Sequence, residues 1–261
     1  MIDKSDILSL SRLNALKPFQ QEKNYIQTLM LRSIYRSSNN FIFKGGTALF
    51  FFYRLPRFSE DLDFNILDGT DEQRTIETLH RDLLLVGVEN RFKITSSNET
   101  SATYQFSVKG PLYTSEVSGL TVKVDISKRE KTLRKPKIMQ IDSQYRDVLP
   151  FSAIVMDISE IKAEKVRAVI TRDKARDVYD IFFLMRNFGD SMDKDLVNQK
   201  LGYYGRKFSI EEFAESLNRK KSKWISELSS IVIGEIPDVN EVVSSIMASA
   251  EKHLVLTRGK V

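Results

Sequence analysis

Apolar positions along the chain follow a helical pattern first, then a mixed pattern, then a helical pattern again. Residues 5–16 and 19–36 have apolar side chains at helical spacing, and Pro18 separates the two predicted helices. Short apolar runs and alternating stretches then predict strands and helices as far as Met156, and the chain from Ser159 onward is helical. The pattern therefore predicts an α/β domain over 1–157, with N-terminal helices, followed by a helical domain over 158–261.

The α/β part contains six predicted strands. They are expected at 41–43, 61–67, 91–97, 103–108, 121–126 and 152–156. A helix is predicted at 46–53, and Asp71 is predicted to cap a second helix that ends near residue 86. Alternation at 91–97 and 103–108 favours an antiparallel pair, and Gly189, Gly202 and Gly234 are expected to break the later helices.

A glycine pair stands where the first predicted strand meets the helix at 46–53. Gly45 and Gly46 are followed by Thr47. Glycine leaves the backbone N–H groups open at the positive end of a helix, which favours phosphate binding. Such a pair is often only a turn, but here an Asp-x-Asp sequence follows closely. The chain has neither the G-x-x-x-x-G-K-[ST] nor the G-x-G-x-x-G pattern, so the P-loop and Rossmann interpretations lack their motif.

Two aspartates occupy the next predicted strand. Asp61 and Asp63 are two residues apart, so their side chains point to the same side, whereas Leu62 and Phe64 point to the core. Carboxylates on one side repel each other and favour a shared cation. An ordinary strand end, capped by solvent or by Arg57, is the structural alternative.

A third carboxylate extends this pattern. Asp125 lies in a similar apolar alternation, and a neighbouring strand would bring it beside Asp61 and Asp63. Three carboxylates on one sheet face would form an oxygen-only site of the kind that binds Mg²⁺ together with substrate phosphates.

Composition narrows the chemistry further. The 261 residues are 41% hydrophobic and 29% charged, as in soluble globular proteins, and no apolar run is long enough for a membrane helix. The charged N-terminus lacks a signal-peptide core, so we expect a cytoplasmic location. Cysteine is absent, which excludes disulfides and cysteine-ligated zinc, and His80 and His253 are the two imidazoles. Both lie in charged, helical surroundings that do not favour a Ser-His-Asp triad.

Basic residues form two clusters, at 128–137 and at 218–223, in a chain of formal net charge +5. Each cluster alone is typical of a solvated loop. Together with a nucleotide site, they favour contacts with RNA phosphates.

The helical run from Ser159 to Ile181 carries further charged residues. Taken alone, the segment around Lys165 is typical of an exposed helix, although Lys165 lies at the edge of the apolar stripe. Asp177 shares a helix face with Ile181 and Leu184, so it needs a cationic partner, and Lys165 and Arg172 are the candidates. A structural salt bridge and a catalytic role explain this pattern equally well.

These motifs together resemble one known family. They are Gly-Gly-Thr at 45–47, Arg-x-Ser-x-Asp-Leu-Asp-Phe at 57–64, the strand aspartate at 125, Ala-Glu-Lys at 163–165 and Arg-Asp-x-Tyr-Asp at 176–180. The set is similar to the AbiEii/AbiGii nucleotidyltransferase toxins, including the MenT group, and spans residues 44–183. The gap between Gly46 and Asp61 is slightly longer than in the broad polymerase-β-like pattern, a departure that this subfamily shares.

The resemblance implies an α+β fold, with a polymerase-β-like nucleotidyltransferase core of mixed sheet flanked by helices and a C-terminal helical bundle that completes the active site. It also implies a toxin of a toxin–antitoxin or phage-defence system, with a cognate antitoxin. Such an enzyme transfers a nucleotide from a nucleoside triphosphate to RNA with Mg²⁺; MenT-type members act on the 3′ acceptor end of tRNA and so block translation.

The resemblance also assigns roles to individual residues. Asp61 and Asp63 resemble the metal ligands, and Asp125 matches the third acid of the wider superfamily. Gly45, Gly46 and Ser59, with Thr47, would line the triphosphate. Lys165 resembles the lysine that contacts the triphosphate, and Asp177 the final acid of the site, although Asp180 is an alternative for that role.

Two other functions remain open from the sequence. A small-molecule nucleotidyltransferase would share Asp61 and Asp63 but needs an acidic pocket for a cationic substrate, which the basic clusters disfavour. A catalytically idle module that binds RNA or an antitoxin would have no reason to keep several charged residues in apolar surroundings.

Overall fold

The chain forms two compact units in a computed structural model, which describes the backbone of residues 1–258 and the side chains of residues 1–252. The first unit comprises Met1–Arg54 and Phe58–Met156. The second comprises Leu55–Arg57 and the described residues from Asp157 onward.

The first unit is built from helices and strands in mixed order. Its helices are α1 Lys4–Leu13, α2 Pro18–Ser37, α3 Gly45–Tyr53 and α4 Glu72–Leu85. Its strands are β1 Phe41–Lys44, β2 Leu62–Ile66, β3 Glu89–Ser97, β4 Ser101–Lys109, β5 Leu120–Ser127, β6 Lys137–Ile141 and β7 Phe151–Val155. The strands form one mixed sheet, of order β3-β4-β5-β2-β1-β7-β6 among the described residues. The predicted mixed sheet flanked by helices is thereby confirmed.

The centre of this sheet separates an apolar face from a polar one. β2 pairs antiparallel with β1 and parallel with β5. Phe43 and Phe64 are partners across β1 and β2, are fully buried, and have ring centroids 5.2 Å apart. Because side chains alternate along a strand, the partners one position away, Lys44 and Asp63, lie on the opposite face.

The second unit is helical. Its helices are α5 Ile158–Thr171, α6 Ala175–Asn187, α7 Lys194–Gly202, α8 Ile210–Arg219, α9 Trp224–Leu228 and α10 Val239–Arg258. Acceptor side chains cap several of them: Asp157 at α5, Asp193 at α7 and Ser209 at α8. The three predicted helix breaks lie after α6, at the end of α7 and between α9 and α10, as the glycines indicated.

Most predicted elements have the expected type, with one omission. The six predicted strands are present, the 91–97 and 103–108 segments pair antiparallel, and Asp71 caps α4. The strand predicted at 61–67 begins only at Leu62, so the placement of Asp61 in the same strand as Asp63 is wrong. β6 was not predicted. It is an edge strand that pairs with β7, and Ile141 is its one buried residue, so its sequence lacks a clear alternation.

Candidate active site

A row of polar residues crosses four neighbouring strands of the sheet. Asp63 on β2 is the register partner of Lys44 on β1 and of Asp125 on β5, and Asp125 is the partner of Thr103 on β4. Register partners on adjacent strands project to the same face. The prediction that a neighbouring strand brings Asp125 beside Asp63 is therefore confirmed.

Asp125 is oriented by its neighbour on β4. The Thr103 hydroxyl donates a hydrogen bond of 2.6 Å to Oδ1 of Asp125. Asp125 is half-buried, whereas Val124 and Ile126 on either side of it are buried in the core. The carboxylate is therefore held at the surface of the polar face in a fixed orientation.

Asp61 is held in a different way, because it lies just before β2 and outside the strand ladder. The hydroxyl of Thr47, a fully buried residue of α3, donates to the backbone carbonyl of Asp61. The carbonyls of Ser59 and Glu60 accept hydrogen bonds of 3.0 and 2.9 Å from Nε2 of Gln27 on α2. Side chains from two helices thus fix the segment that carries Asp61.

Gly45 begins α3 directly against the carboxylate of Asp63. Its backbone has φ +75°, in the left-handed region, and a Cβ at this position would overlap Oδ2 of Asp63 and lie 3.0 Å from Cγ. Glycine is required here both for its conformation and for the close approach. Gly46 is buried in the first turn of α3, so the glycine pair and Asp63 lie together as the sequence indicated.

Replacing Gly45 with Ala should destabilise the protein by about 1–3 kcal/mol, through strain at positive φ, and should also displace Asp63 and so lower activity. Gly87→Ala is the matched control, because Gly87 has φ +79° and nothing within 4 Å of its added Cβ. Thermal unfolding, and the nucleotide transfer that the family resemblance implies, should be measured for both variants. Equal loss of activity in the two would show that the contact with Asp63 is irrelevant.

Lys165 lies in a buried ion network of the helical unit. Its Nζ is 3.0 Å from Oδ1 of Asp177 and 2.6 Å from Oδ2 of Asp180, and the residue is 6% exposed. The interpretation of this segment as an exposed helix is therefore wrong, since most of α5 is buried. The prediction that Asp177 pairs with Lys165 or Arg172 is confirmed for both cations.

The two aspartates of this network differ in their surroundings. Arg57 forms two hydrogen bonds of 2.6 Å with Asp180, and both residues are buried. Arg172 bonds both oxygens of Asp177 at 2.8 and 3.0 Å, but its own side chain is 51% exposed. Asp180 is thus paired with a buried arginine, whereas Asp177 is paired with an arginine that is half exposed to solvent.

The cations determine the ionisation of both carboxylates. Burial by itself raises the pKa of Asp177, but the charges of Lys165 and Arg172 outweigh it and hold the pKa below its ordinary value. Burial likewise acts to raise the pKa of Asp180, and Arg57 and Lys165 lower it overall. Both groups are therefore ionised at neutral pH.

The two basic clusters differ in exposure. In the 128–137 cluster, Lys128 pairs with Glu72, whereas Arg134 and Lys135 are exposed. In the 218–223 cluster, Lys220 is 1% exposed and donates to the backbone carbonyls of Val169 and Ser216. The interpretation of the second cluster as a solvated loop is therefore wrong for Lys220, and the first cluster has more exposed basic residues.

The carboxylates of Asp61 and Asp63 fit a divalent metal in part. Within the described side chains, no three Asp, Glu, His or Cys residues already form a group that could hold an ion. Asp61 and Asp63 nevertheless supply the hard oxygen donors that Mg²⁺ prefers, and this ion commonly takes one or two carboxylates together with substrate phosphates and water. The donor set suits a metal that arrives with a nucleotide; the assignment of Asp61, Asp63 and Asp125 as ligands stays a prediction.

Some site residues gave no signal in the sequence. Gln27 and Thr103 were not predicted, because their roles depend on partners 32 and 22 residues away. Nδ1 of His80 lies 2.8 Å from Oδ1 of Asn90 and donates to it in the tautomer that carries a proton there. The side chain of His253 lies outside the described residues.

Comparison with known proteins decides the family. The chain matches the family described as nucleotidyl transferase AbiEii toxin, type IV toxin–antitoxin system, over residues 28–245. The chain belongs to this family. AbiEii membership, with the mixed sheet and the C-terminal helices, makes the protein a nucleotidyltransferase of a toxin–antitoxin system, and a nucleotide substrate and an antitoxin follow from that.

Solved structures support the same fold. MenT4, a nucleotidyltransferase toxin from Mycobacterium tuberculosis H37Rv, aligns with a TM-score of 0.68 at 16% identity, over 95% of this chain and 88% of that one. JHP933 from Helicobacter pylori aligns at 0.62 and 18%, over 92% and 94%. A candidate nucleotidyltransferase from H. pylori aligns at 0.64 and 19%, over 92% and 96%.

Among curated proteins, no match to this chain is found. In the part of the chain that the structure describes, every helix is too short or too polar to span a membrane.

Proposed function

We propose that this AbiEii protein transfers a nucleoside monophosphate from a nucleoside triphosphate to the 3′ acceptor end of tRNA, with Mg²⁺, and thereby blocks translation. The observation that carries the proposal is the alignment of Asp63 with Asp125 on adjacent strands, directly against Gly45 at the start of α3. Carboxylates beside an open helix N-terminus suit a metal-bound triphosphate.

The residues of the sheet unit would divide the chemistry between them. Asp61 and Asp63 would hold the metal, and the backbone of Gly45 and Gly46 would contact phosphate oxygens. A bound Mg²⁺ ion supplies positive charge that stabilises the charge developing on the phosphates. A ribose hydroxyl of the RNA attacks the α-phosphorus, a new oxygen–phosphorus bond forms, and the bond to the β-phosphate oxygen breaks, which releases pyrophosphate.

Asp125 is the candidate acceptor for the proton of the attacking hydroxyl. Thr103 already occupies one of its oxygens, so the orientation of the carboxylate is preset for a substrate that approaches the polar face. A general base must lie within hydrogen-bond reach of the proton that it removes. Binding of a second metal is the alternative role for Asp125.

Lys165 and Asp177 keep the roles that the family resemblance gives them, as the triphosphate-contacting lysine and the final acid. Lys165 forms ion pairs with Asp177 and Asp180 in a buried site, so its position is preset. A fixed positive charge of this kind stabilises a departing pyrophosphate without reorganisation.

The acceptor is inferred from charge and from the family. Arg134 and Lys135 are exposed and follow β5, the strand that carries Asp125. Exposed arginine and lysine favour the phosphate backbone of a nucleic acid. The MenT-like resemblance implies tRNA among the RNA classes.

The proposal is tested by incubating the protein with total RNA and each α-labelled nucleoside triphosphate in turn, with Mg²⁺ or with a chelator. We expect label in RNA of tRNA size only when Mg²⁺ is present. Periodate oxidation of the tRNA, which destroys the terminal ribose diol, should prevent labelling. Translation in a cell-free system should stop when the modified tRNA replaces the untreated tRNA.

Other outcomes would point to other functions. Label that appears in a small molecule and not in RNA would indicate a small-molecule nucleotidyltransferase. RNA binding without any transfer, under every triphosphate, would indicate a catalytically idle module. Either result would overturn the proposed acceptor.

A further inference from the structure

We infer that Gln27 on α2 is a positioning residue for Asp61, and that it acts by fixing the backbone of Ser59 and Glu60. This inference rests on the proposed function, in which Asp61 holds the metal. Gln27 lies outside every motif that marked the site in the sequence, on a helix that ends before β1 begins.

The need for such a residue follows from where the two aspartates lie. Asp63 belongs to β2 and is flanked by β1 and β5, so the sheet fixes its backbone. Asp61 precedes β2 and lies outside the strand ladder. A carboxylate on an irregular segment keeps its position only if other groups hold the backbone.

Gln27 provides that hold through a single amide group. Its Nε2 donates to the carbonyl of Ser59 at 3.0 Å and to the carbonyl of Glu60 at 2.9 Å, and the residue is fully buried. The two carbonyl acceptors determine the orientation of the amide, because the flipped amide would place Oε1 of Gln27 against both carbonyl oxygens. Both N–H groups of the amide are therefore used on this segment.

The amide oxygen of Gln27 lies in different surroundings from the nitrogen. Oε1 of Gln27 is buried and has no hydrogen-bond partner among the described residues. Burying a polar atom without a partner is unfavourable, so a residue chosen for packing alone would be apolar at this position. The two bonds to the Asp61 segment explain why glutamine is kept there.

Two further side chains hold the same segment. Lys23, one turn before Gln27, pairs with the Glu60 carboxylate at 2.8 Å, and Thr47 donates to the Asp61 carbonyl. Three successive residues, 59 to 61, are thus each bound by a side chain of α2 or α3. The polar, buried first half of α2 serves as a support for the loop that presents Asp61.

The test compares two glutamines on the same helix. In Gln27→Met the side chain keeps its length and loses both donors to the loop. In Gln21→Met, the matched control, a fully buried glutamine loses its 2.6 Å bond to the Tyr145 hydroxyl, which is not part of the loop. Mn²⁺ binding in the presence of a non-hydrolysable triphosphate is measured by electron paramagnetic resonance, together with the unfolding temperature and the transfer rate.

We expect Gln27→Met to weaken Mn²⁺ binding by on the order of 10-fold to 100-fold, as for other residues that orient a metal ligand. Gln21→Met should lower the unfolding temperature but leave Mn²⁺ affinity unchanged. Wild-type Mn²⁺ affinity in Gln27→Met, or an equal loss in both variants, would overturn the inference. If Gln27→Met does not fold, Gln27→Asn replaces it: its amide is too short to reach both carbonyls, and unchanged affinity there would overturn the inference equally.

Asp61→Asn is measured in parallel to separate the two claims. Loss of Mn²⁺ binding in Asp61→Asn, with full binding in Gln27→Met, would refute the positioning role alone. Full binding in Asp61→Asn would refute the metal-ligand role of Asp61, and with it the proposed function.

Discussion

Replacing Asp61 with Asn should reduce nucleotidyl transfer by on the order of 10³-fold, because loss of metal charge stabilisation costs several kcal/mol of the barrier. The side chain keeps its size, and the backbone carbonyl that accepts from Thr47 remains in place. The fold should therefore be unchanged. The measurements are kcat/KM for the labelled triphosphate, growth arrest on expression in bacteria, and the unfolding curve.

The control for this experiment is Asp142→Asn, an exposed aspartate directly after β6 in the same unit. This variant also loses one negative charge, but Asp142 lies outside the segments that carry the proposed ligands. Transfer should therefore be unaffected. A fully active Asp61→Asn protein would refute the proposed mechanism. Loss of transfer with toxicity retained would instead show that the toxic activity has another source.

The sheet part of the site could be predicted because it depends on local alternation. Leu62 and Phe64 are buried and Asp63 is on the other face, as the sequence pattern requires. The same alternation at Val124 and Ile126 placed Asp125 on the polar face of a neighbouring strand. A period of two residues is visible within each strand, so no knowledge of distant partners was needed.

The residues that hold the site in place could not be predicted, because their roles depend on contacts between distant segments of the chain. Glutamine and lysine on α2 are typical of an exposed helix face, yet Gln27 and Lys23 are buried against the loop that precedes β2. The same reason explains the error at Lys165, whose neighbours in sequence are charged but whose partners lie on α6. The sequence shows which residues are polar, but which of them are buried together depends on the tertiary structure.

Arg57 shows this limit most clearly. The sequence allowed it to cap the strand that carries Asp61 and Asp63, but its guanidinium forms a two-bond pair with Asp180, 123 residues later. The Arg-x-Ser-x-Asp-Leu-Asp motif therefore contributes to two units, since Arg57 belongs to the helical unit and Asp61 to the sheet unit. The motif is continuous in sequence, although its residues have separate structural tasks.

Replacing Asp180 with Asn should destabilise the protein by about 3–5 kcal/mol, the usual effect of removing one partner from a buried ion pair. Arg57 and Lys165 would both remain buried, with Asp177 as the remaining carboxylate of the network. Denaturant unfolding measures the change. Asp190→Asn is the control, because its pair with Lys252 is exposed on both sides and should change stability by less than about 1 kcal/mol.

The difference between wild type and Asp180→Asn should also depend on pH, in a direction that the lowered pKa of Asp180 determines. A carboxylate whose pKa is lower in the folded than in the unfolded state stabilises the protein above the unfolded value, about 3.9. That stabilisation is lost as the pH falls below about 3.9 and through the lower pKa that Asp180 has in the folded protein. Because protonated Asp180 resembles asparagine, the two unfolding free energies should converge in acid. A gap that stays constant down to pH 2 would mean that packing, and not the charge on Asp180, holds Arg57 and Lys165 in place.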